Sequence, residues 1–250
     1  MKKVDAIVLR TVDYGESNKI LTLLSDTHGK FGAMARGAKK PQSQLNSVSQ
    51  PFVHASYMIT IGEGRGMGTI MQAELYDSFR TIGEDLFKAA YASYVVELAD
   101  RFVEEREPSR GVFLLILTLL THLAEGKDPE ILVRLCEMKM LDLAGIRPEL
   151  FHCAHCFRQL EQSIRFSIKH GGPLCGDCHH ADERAIWMKP VALKLLQTFQ
   201  TMDVRRLGEV KVGDDVRRQL GKIMKQYLDE YSGVSFRSRT FLEQLHKYDL

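Results

Sequence analysis

At 250 residues the chain can hold one large domain or two to three small ones. Its 44% hydrophobic and 26% charged residues fit a folded globular protein and exclude a disordered one. The formal net charge is only +2, so the whole molecule is no polycation, yet residues 1–50 hold eight Lys or Arg against four acids, +4 in that segment alone. Such a bias on a small region suits a polyanionic partner, and a solvated basic face without a partner is the plainer alternative.

The first eighty residues read as β. Val4–Thr11 is rich in β-branched residues, and Lys19–Ser25, Lys30–Arg36, Phe52–Ile61 and Met67–Leu75 continue the pattern. Turn signals separate them at Asp13-Tyr14-Gly15, Asp26 to Gly29, Pro41 to Pro51 and Gly62 to Gly66. Five short strands in this length predict a small closed barrel, because closure removes exposed sheet edges. Near Gly83 the period changes to that of a helix, with Leu86, Ala90, Tyr94, Val95, Leu98 and Phe102 on one face up to about Glu107.

Pro108-Ser109 ends that helix and opens another, Gly111–Leu123, apolar on nearly all sides and therefore central. Asp128-Pro129 reads as an N-cap followed by Pro at the first helical position. This third helix runs to about Ala144, and Gly145 closes it. A cysteine-rich segment, about 151–187, follows, with a short strand expected at Ser163–Ile168. Helical patterns resume at Lys189–Phe199, Asp214–Tyr231 and Ser238–His246.

Two Cys pairs carry the clearest chemistry. Cys153-x-x-Cys156 and Cys175-x-x-Cys178 stand eighteen residues apart, a spacing that lets four thiolates close a tetrahedron around one Zn2+ ion. Four thiolates leave no coordination position open for water, so the expected zinc is structural. A redox pair would need only one CxxC. His152, His155, His170, His179 and His180 crowd the segment and are expected around the metal or at the surface. Cys136, in a helical pattern, is expected to be a buried thiol.

Asp5 and Arg10 interrupt the apolar stretch that a secretory leader after Met1-Lys2-Lys3 would need. The longest apolar run, Val112–Leu120, includes Thr118 and is too short for a bilayer, so no membrane is expected. With the paired CxxC motifs this points to a reducing cytoplasm. Neither GxSxG, HExxH nor a phosphate-binding glycine loop occurs. The alternating glycines 62, 64, 66 and 68 suit a flexible hairpin with Arg65 near its tip. No enzyme is expected.

The barrel's cations are the remaining functional signal. A barrel that binds single strands needs cations along one face and aromatic platforms. Arg10, Lys19, Arg36, Lys39 and Lys40 are the candidate nucleic-acid contacts, and Tyr14, Phe31, Phe52 and Tyr57 are candidates for stacking or for the core.

Three segments then stand out together: Ala6-Ile-Val-Leu-Arg10, Tyr14-Gly-Glu-Ser-Asn-Lys-Ile-Leu-Thr-Leu-Leu-Ser25 and His28-Gly-Lys-Phe-Gly-Ala-Met-Ala-Arg-Gly-Ala-Lys-Lys40. They closely resemble the bacterial RecO family of DNA repair and recombination mediators, and the resemblance covers the whole chain. It implies an α+β multidomain protein. An N-terminal five-stranded OB-fold barrel (1–80) precedes a mainly α-helical body (81–250) with an inserted four-Cys zinc ribbon at about 151–187. It also implies a non-enzymatic role: binding single- and double-stranded DNA, annealing complementary strands, and helping RecA load onto DNA coated by single-stranded-DNA-binding protein (SSB), with RecR and, in one pathway, RecF. The acidic SSB C-terminal tail is a further implied partner. Its basic rim would come from helix 83–107 or from Arg205, Arg206, Arg217, Arg218, Lys222 and Lys225. Arg10, Lys19, Arg36, Lys39 and Lys40 fall where the family's DNA surface would lie. A protein-binding adaptor that never touches DNA, or a metal-dependent nucleic-acid enzyme, are the other classes open at this point.

Overall fold

The protein is described by a computed structural model covering residues 1–60, 66–160 and 164–247. Five strands form its first part: β1 (Lys2–Tyr14), β2 (Asn18–Ser25), β3 (Gly29–Ala35), β4 (His54–Thr60) and β5 (Gly68–Asp77), with the one-turn helix α1 (Gln44–Ser47) between β3 and β4. They close into a barrel in the order β1-β2-β3-β5-β4. Every pairing is antiparallel except the one that closes the ring, where β3 meets β5 in parallel through Ala33–Gly68, Met34–Thr69 and Ala35–Ile70. The expected Gly-rich turn at 62–66 is represented here only by Gly66, because Gly62, Gly64 and Arg65 lie outside the described residues.

Alternation explains the closure. Val4, Ala6 and Val8 on β1, Leu21 and Leu23 on β2, Phe31, Ala33 and Ala35 on β3 and Tyr57 and Ile59 on β4 point inward and form one buried cluster. The small residues on β3 leave room for Tyr57, which is fully buried and donates its hydroxyl to the Val48 carbonyl at 2.7 Å. A register shift between Val8 and Arg10 marks a bulge in β1. Along β1 the pairing with β4 runs from Lys2 to Ile7 and that with β2 from Ala6 to Tyr14, so one long strand serves two partners around the ring and both hold it at Ala6 and Ile7, just before the bulge. At Gly68 a Cβ would stand 2.7 Å from the Ile59 side chain, which is why a glycine occupies the point where β5 crosses.

Helix α2 (Arg80–Gly83) is a single turn. Asp85 caps α3 (Leu86–Phe102) by accepting from the Lys88 amide, and Ser109 does the same for α4 (Arg110–Ala124) through Val112. Both helices form near the expected places, α3 ending five residues sooner than the apolar period suggested, where the chain turns extended at Val103. Helix α5 (Pro129–Leu143) starts at its proline, and Gly145 follows it in the left-handed region at φ 71.

The cysteine segment contains a three-stranded sheet in the order β7-β6-β8: β6 (Arg165–Ser167), β7 (Gly172–Leu174) and β8 (Ile186–Trp187). A 3-10 turn spans Gly176–Ala181. Helices α6 (Pro190–Thr201), α7 (Asp214–Tyr231) and α8 (Arg237–Lys247) complete the chain.

The chain contacts group into two units, Met1–Pro129 with Phe236–Leu250, and Glu130–Ser235. In the first, α8 packs along α3. The Glu97 carboxylate on α3 accepts the backbone N–H groups of Arg237 (3.1 Å) and Ser238 (2.9 Å) and the Ser238 hydroxyl, so one side chain satisfies the start of α8. Phe236 lies buried against Tyr94 and Phe102. In the second unit Phe166 of β6 and Tyr227 of α7 meet edge to face.

Candidate nucleic-acid interface and metal centre

The outer face of β1, β2 and β3 is built by register. Val12, Ile20 and Met34 stand side by side on one rung, and Arg10, Thr22 and Gly32 on a second. Their neighbours Leu21 and Ala33 point into the core, so this rung faces outward. Tyr14, 53% exposed, is opposite Asn18 at the end of the same face. The face therefore carries an apolar row with an arginine on one side and a tyrosine on the other.

Four of the five candidate cations converge at one end of the barrel. The Lys39 amide donates to the Ser17 carbonyl at 2.9 Å, and the Gly37 amide donates to the Asn18 Oδ1 at 2.9 Å. These bonds fold the turn after β3 onto the turn between β1 and β2, and Gly37 supplies the φ of +68 that the fold needs. Arg36 and Lys40 are exposed, and among the described residues no carboxylate pairs with either. Lys39 is engaged: its Nζ lies 2.9 Å from Asp13. That hydrogen bond, more than any other influence, holds the Asp13 carboxyl below its ordinary range. Lys19 sits on the rung of Asp13 and Ala35, at the mouth of the barrel.

Arg10 stands apart, three rungs along β2 from Lys19. Its guanidinium is 3.5 Å from the Thr22 hydroxyl and 3.6 Å from the Asp100 carboxylate. Lys30 also turns to Asp100, donating to its backbone carbonyl and standing 3.6 Å from its carboxylate with only 12% of its side chain exposed. That lysine ties the barrel to α3. A cleft of about 450 Å3 opens here, lined by Arg10, Arg101, Arg106, Asp100, Ile20 and Met67 among others.

Of the four aromatic candidates, Tyr57 and Phe31 belong to the core and Phe52 is half-buried with a left-handed φ of 73, which leaves Tyr14 as the exposed ring. The outward apolar row, exposed at Val12 and half-buried at Ile20 and Met34, was not among the candidates. Its signal in the sequence is the outward parity of Val12, Ile20 and Met34, legible once strand register is known. Arg101 and Arg106 were equally silent, since nothing local places the end of α3 beside β2.

In the second unit the sulfurs of Cys153, Cys156, Cys175 and Cys178 all lie within 4.8 Å of one another. The Cys156 and Cys175 sulfurs are 3.8 Å apart, and all five cysteines of the chain are free thiols. A tetrahedral zinc with bonds of about 2.3 Å requires sulfur–sulfur spacings of about 3.8 Å, so the set fits such an ion. Backbone geometry prepares it. The Phe157 amide donates to the Cys153 carbonyl (2.8 Å), the Cys178 amide to the Cys175 carbonyl (3.0 Å), and the Ala154 amide to the Pro173 carbonyl (2.7 Å), which links the two knuckles. Gly172 is required between them, because a Cβ there would stand 2.5 Å from the Glu149 carbonyl oxygen.

Burial pushes the Cys153 thiol up, but amides of Cys156, Cys175 and His155 donating to its sulfur outweigh it and hold the group at about 6. Burial and the neighbouring sulfurs push Cys178 up to about 12. Cys136 is buried away from the cluster, with its thiol pushed far up by burial.

The family model for the N-terminal domain of Recombination protein O matches residues 1–79, and that for its C-terminal domain matches residues 83–240. The chain belongs to the RecO family. It is 44% identical to the DNA repair protein RecO of Bacillus pumilus (strain SAFR-032), covering 97% of this chain and 94% of that protein. It is also 44% identical to the DNA repair protein RecO of Bacillus subtilis (strain 168), covering 98% and 95%. Against that of Shouchella clausii (strain KSM-K16) the identity is 41%, covering 99% and 96%. The closed barrel is thus the OB-fold of a RecO protein, and the helical body and four-Cys cluster complete the expected α+β architecture. No described helix is long and apolar enough to cross a membrane.

Proposed function

We propose that this RecO-family protein binds single- and double-stranded DNA on the outer face of β1–β3, anneals complementary strands, and with RecR helps RecA load onto SSB-coated DNA, joined in one pathway by RecF. The observation that carries this reading is the outward-facing row Val12–Ile20–Met34, exposed at Val12 and half-buried at Ile20 and Met34, bordered by Arg10 and by the end of the barrel that holds Lys19, Arg36, Lys39 and Lys40. Two strands repel through their phosphates. Cations that neutralise both lower the repulsion and release counterions. An apolar row and a tyrosine accept bases of any kind, which suits annealing, since annealing must work on every sequence.

In this reading residues 1–80 hold DNA, while residues 81–250 dock partners, including the SSB tail, and carry one structural Zn2+ on Cys153, Cys156, Cys175 and Cys178. The tail would raise the mediator's local concentration at coated gaps. The protein works in the cytoplasm at the nucleoid and turns over no substrate. The test is annealing of SSB-coated complementary strands with and without RecR. Acceleration by the protein supports the reading. No acceleration, together with no salt-dependent band shift on a single-stranded oligonucleotide, leaves an adaptor that contacts only proteins.

A further inference from the structure

We propose that the open edge of β5 is a docking site for an extended peptide segment of a partner protein, added to the barrel as a further strand and carrying alternate apolar and basic residues. Strand β5 pairs with β4 from Thr69 to Asp77, but with β3 only through Gly68, Thr69 and Ile70. Ala35 is the last residue of β3, and the chain turns away at Gly37 with φ 68, so β5 runs on with one side open. In a ladder, alternate residues turn their N–H and C=O groups to opposite sides. On the open side, residues 71–77 make no backbone hydrogen bond with any described residue.

Helix α1 lies nearby, but it meets β5 by packing Leu45 and Ala73 against the core, not by backbone bonds. Met71, Leu75 and Tyr76 each remain about half exposed. Sheet edges are ordinarily blunted by proline, by lysine or by a covering element. The stretch Met71-Gln-Ala-Glu-Leu-Tyr-Asp77 has neither proline nor lysine. Its ladder with β4 skips Met71 and Tyr76, so two bulges bracket a regular stretch at residues 72–75. Bulges recur beside binding sites, where they re-aim side chains, and this stretch matches the reach of a short peptide.

The pleat decides what the peptide carries. On the outer face Glu74 shares a rung with Ser56 of β4 and Asp5 of β1, and both acids are exposed. Asp77 adds a carboxylate further along, and Lys3, 3.6 Å from Glu74, offsets only part of this charge. A basic residue opposite Glu74 gains an ion pair, whereas a nucleic-acid phosphate there meets like charge. On the other parity stand Ala73 and Leu75, opposite the buried Tyr57 and Ala55. A residue added beside Leu75 covers an exposed leucine at the barrel rim and is therefore apolar. Backbone bonds supply the affinity of such an added strand, and these side-chain pairs supply the choice.

A second copy of the chain is a poorer occupant. Twofold pairing of two β5 edges centres on Glu74 or on Ala73. The first opposes Glu74 to its own copy, and the second opposes it to Gln72, so neither gives the carboxylates a cation. The inference adds a contact on the barrel to the partner docking ascribed to residues 81–250, and it does not depend on DNA binding by the β1–β3 face.

The probe is a peptide of about six residues alternating lysine and valine, blocked at both ends, labelled with a fluorophore and titrated against the full-length protein by anisotropy. Two N-methylated versions decide the mode, one methylated at the lysines and the other at the valines. In an added strand one of these sets turns its N–H groups to β5 and the other turns them away. The expected result is saturable binding of the plain peptide, with slowed amide exchange over residues 71–77. One methylated set should bind roughly tenfold or more weakly, and the other within about twofold of the plain peptide. Glu74→Gln, at an exposed position, should weaken binding by roughly twofold to fivefold, and a peptide with glutamate in place of lysine should not bind. No saturable binding, an equal response of the two methylated peptides, or equal binding of the glutamate peptide overturns the proposal. Slowed exchange over residues 71–77 without peptide, together with a dimer in sedimentation velocity, overturns it in favour of a second copy on the edge.

Discussion

Arg36, Lys39 and Asp13 make a three-residue test of the barrel end. Each phosphate contact on a single strand contributes about 0.7 to the slope of log affinity against log salt. Arg36 is exposed and Lys39 is bound to Asp13 at 2.9 Å, so the first should act at nearly full value and the second below it. Arg36→Ala with Lys39→Ala should flatten the slope by at most about 1.4, so that over a fourfold rise in salt the variant loses about sevenfold less affinity than the unaltered protein. The geometry makes a sharper claim. Lys39→Ala strips Asp13 of its partner and turns a carboxylate toward the strand, so it should bind worse than Lys39→Ala with Asp13→Ala. Asp13→Ala alone should free Lys39, steepen the slope and tighten binding. Fluorescence anisotropy with a labelled oligothymidine across a salt series reads all four proteins, with circular dichroism to confirm folding. Unchanged affinity and slope in Arg36→Ala/Lys39→Ala would place the DNA elsewhere on the molecule. An Asp13→Ala protein that binds more weakly would refute the assigned pairing.

Chelation, or Cys175→Ser, should make residues 151–187 susceptible to protease while fragments of the barrel unit stay protected, since a structural site draws folding energy from its metal. Zinc absent by elemental analysis, with unchanged circular dichroism after chelation, contradicts this. Tyr57→Phe leaves the Val48 carbonyl without its 2.7 Å partner inside the barrel and should cost about 1–3 kcal/mol in denaturant unfolding, and a loss near zero would mean that carbonyl finds water. Burial holds the half-buried His54, packed between Tyr76 and Phe113, below the ordinary imidazole range. A lowered folded value means the unfolded chain binds the proton first. The contribution is therefore present above the ordinary histidine value and is lost as pH falls through it toward the folded one. The first unit should lose stability on acidification from neutral pH, and His54→Gln should lose less, as followed by thermal melts. Equal acid sensitivity of the two proteins would exclude His54 as a source.

The barrel was legible because its strands are short β-branched runs cut by turn signals, and the helices because the change of period near Gly83, Pro108-Ser109 and Asp128-Pro129 mark their starts. The metal centre was legible because its ligands sit in two short local motifs, whose spacing survives any arrangement of the rest. What stayed hidden was set by distant partners. The length of β1, thirteen residues where eight were expected, comes from its two offset partners, β4 along Lys2–Ile7 and β2 along Ala6–Tyr14. Phe31 and Tyr57 stay open between stacking and core in the sequence, and strand parity turns them inward. Lys39 reads as a free cation until Asp13, from a different turn, arrives beside it. Arg106 has no local signal at all, since it is brought to the barrel by the parallel bridge between Lys30 and Glu105 and by its own bond to the Gly66 carbonyl.

Glu97 accepts bonds from residues 140 and 141 positions further along, and this has a consequence for how the molecule is made. Closing a flexible loop of that length costs about 4 kcal/mol of chain entropy before any contact rewards it. On the ribosome the barrel and α3 emerge early, while α8 follows only after the whole of Glu130–Ser235. Until then the partners of Phe236, Tyr94 and Phe102 among them, wait without their cover. If Glu130–Ser235 condenses first, its own folding shortens the loop and lowers that cost. The order of events is then written into the connectivity: barrel, then inserted unit, then the closing helix. A ribosome that stalls before α8 leaves a barrel able to form beside a helix α3 that still exposes its apolar face.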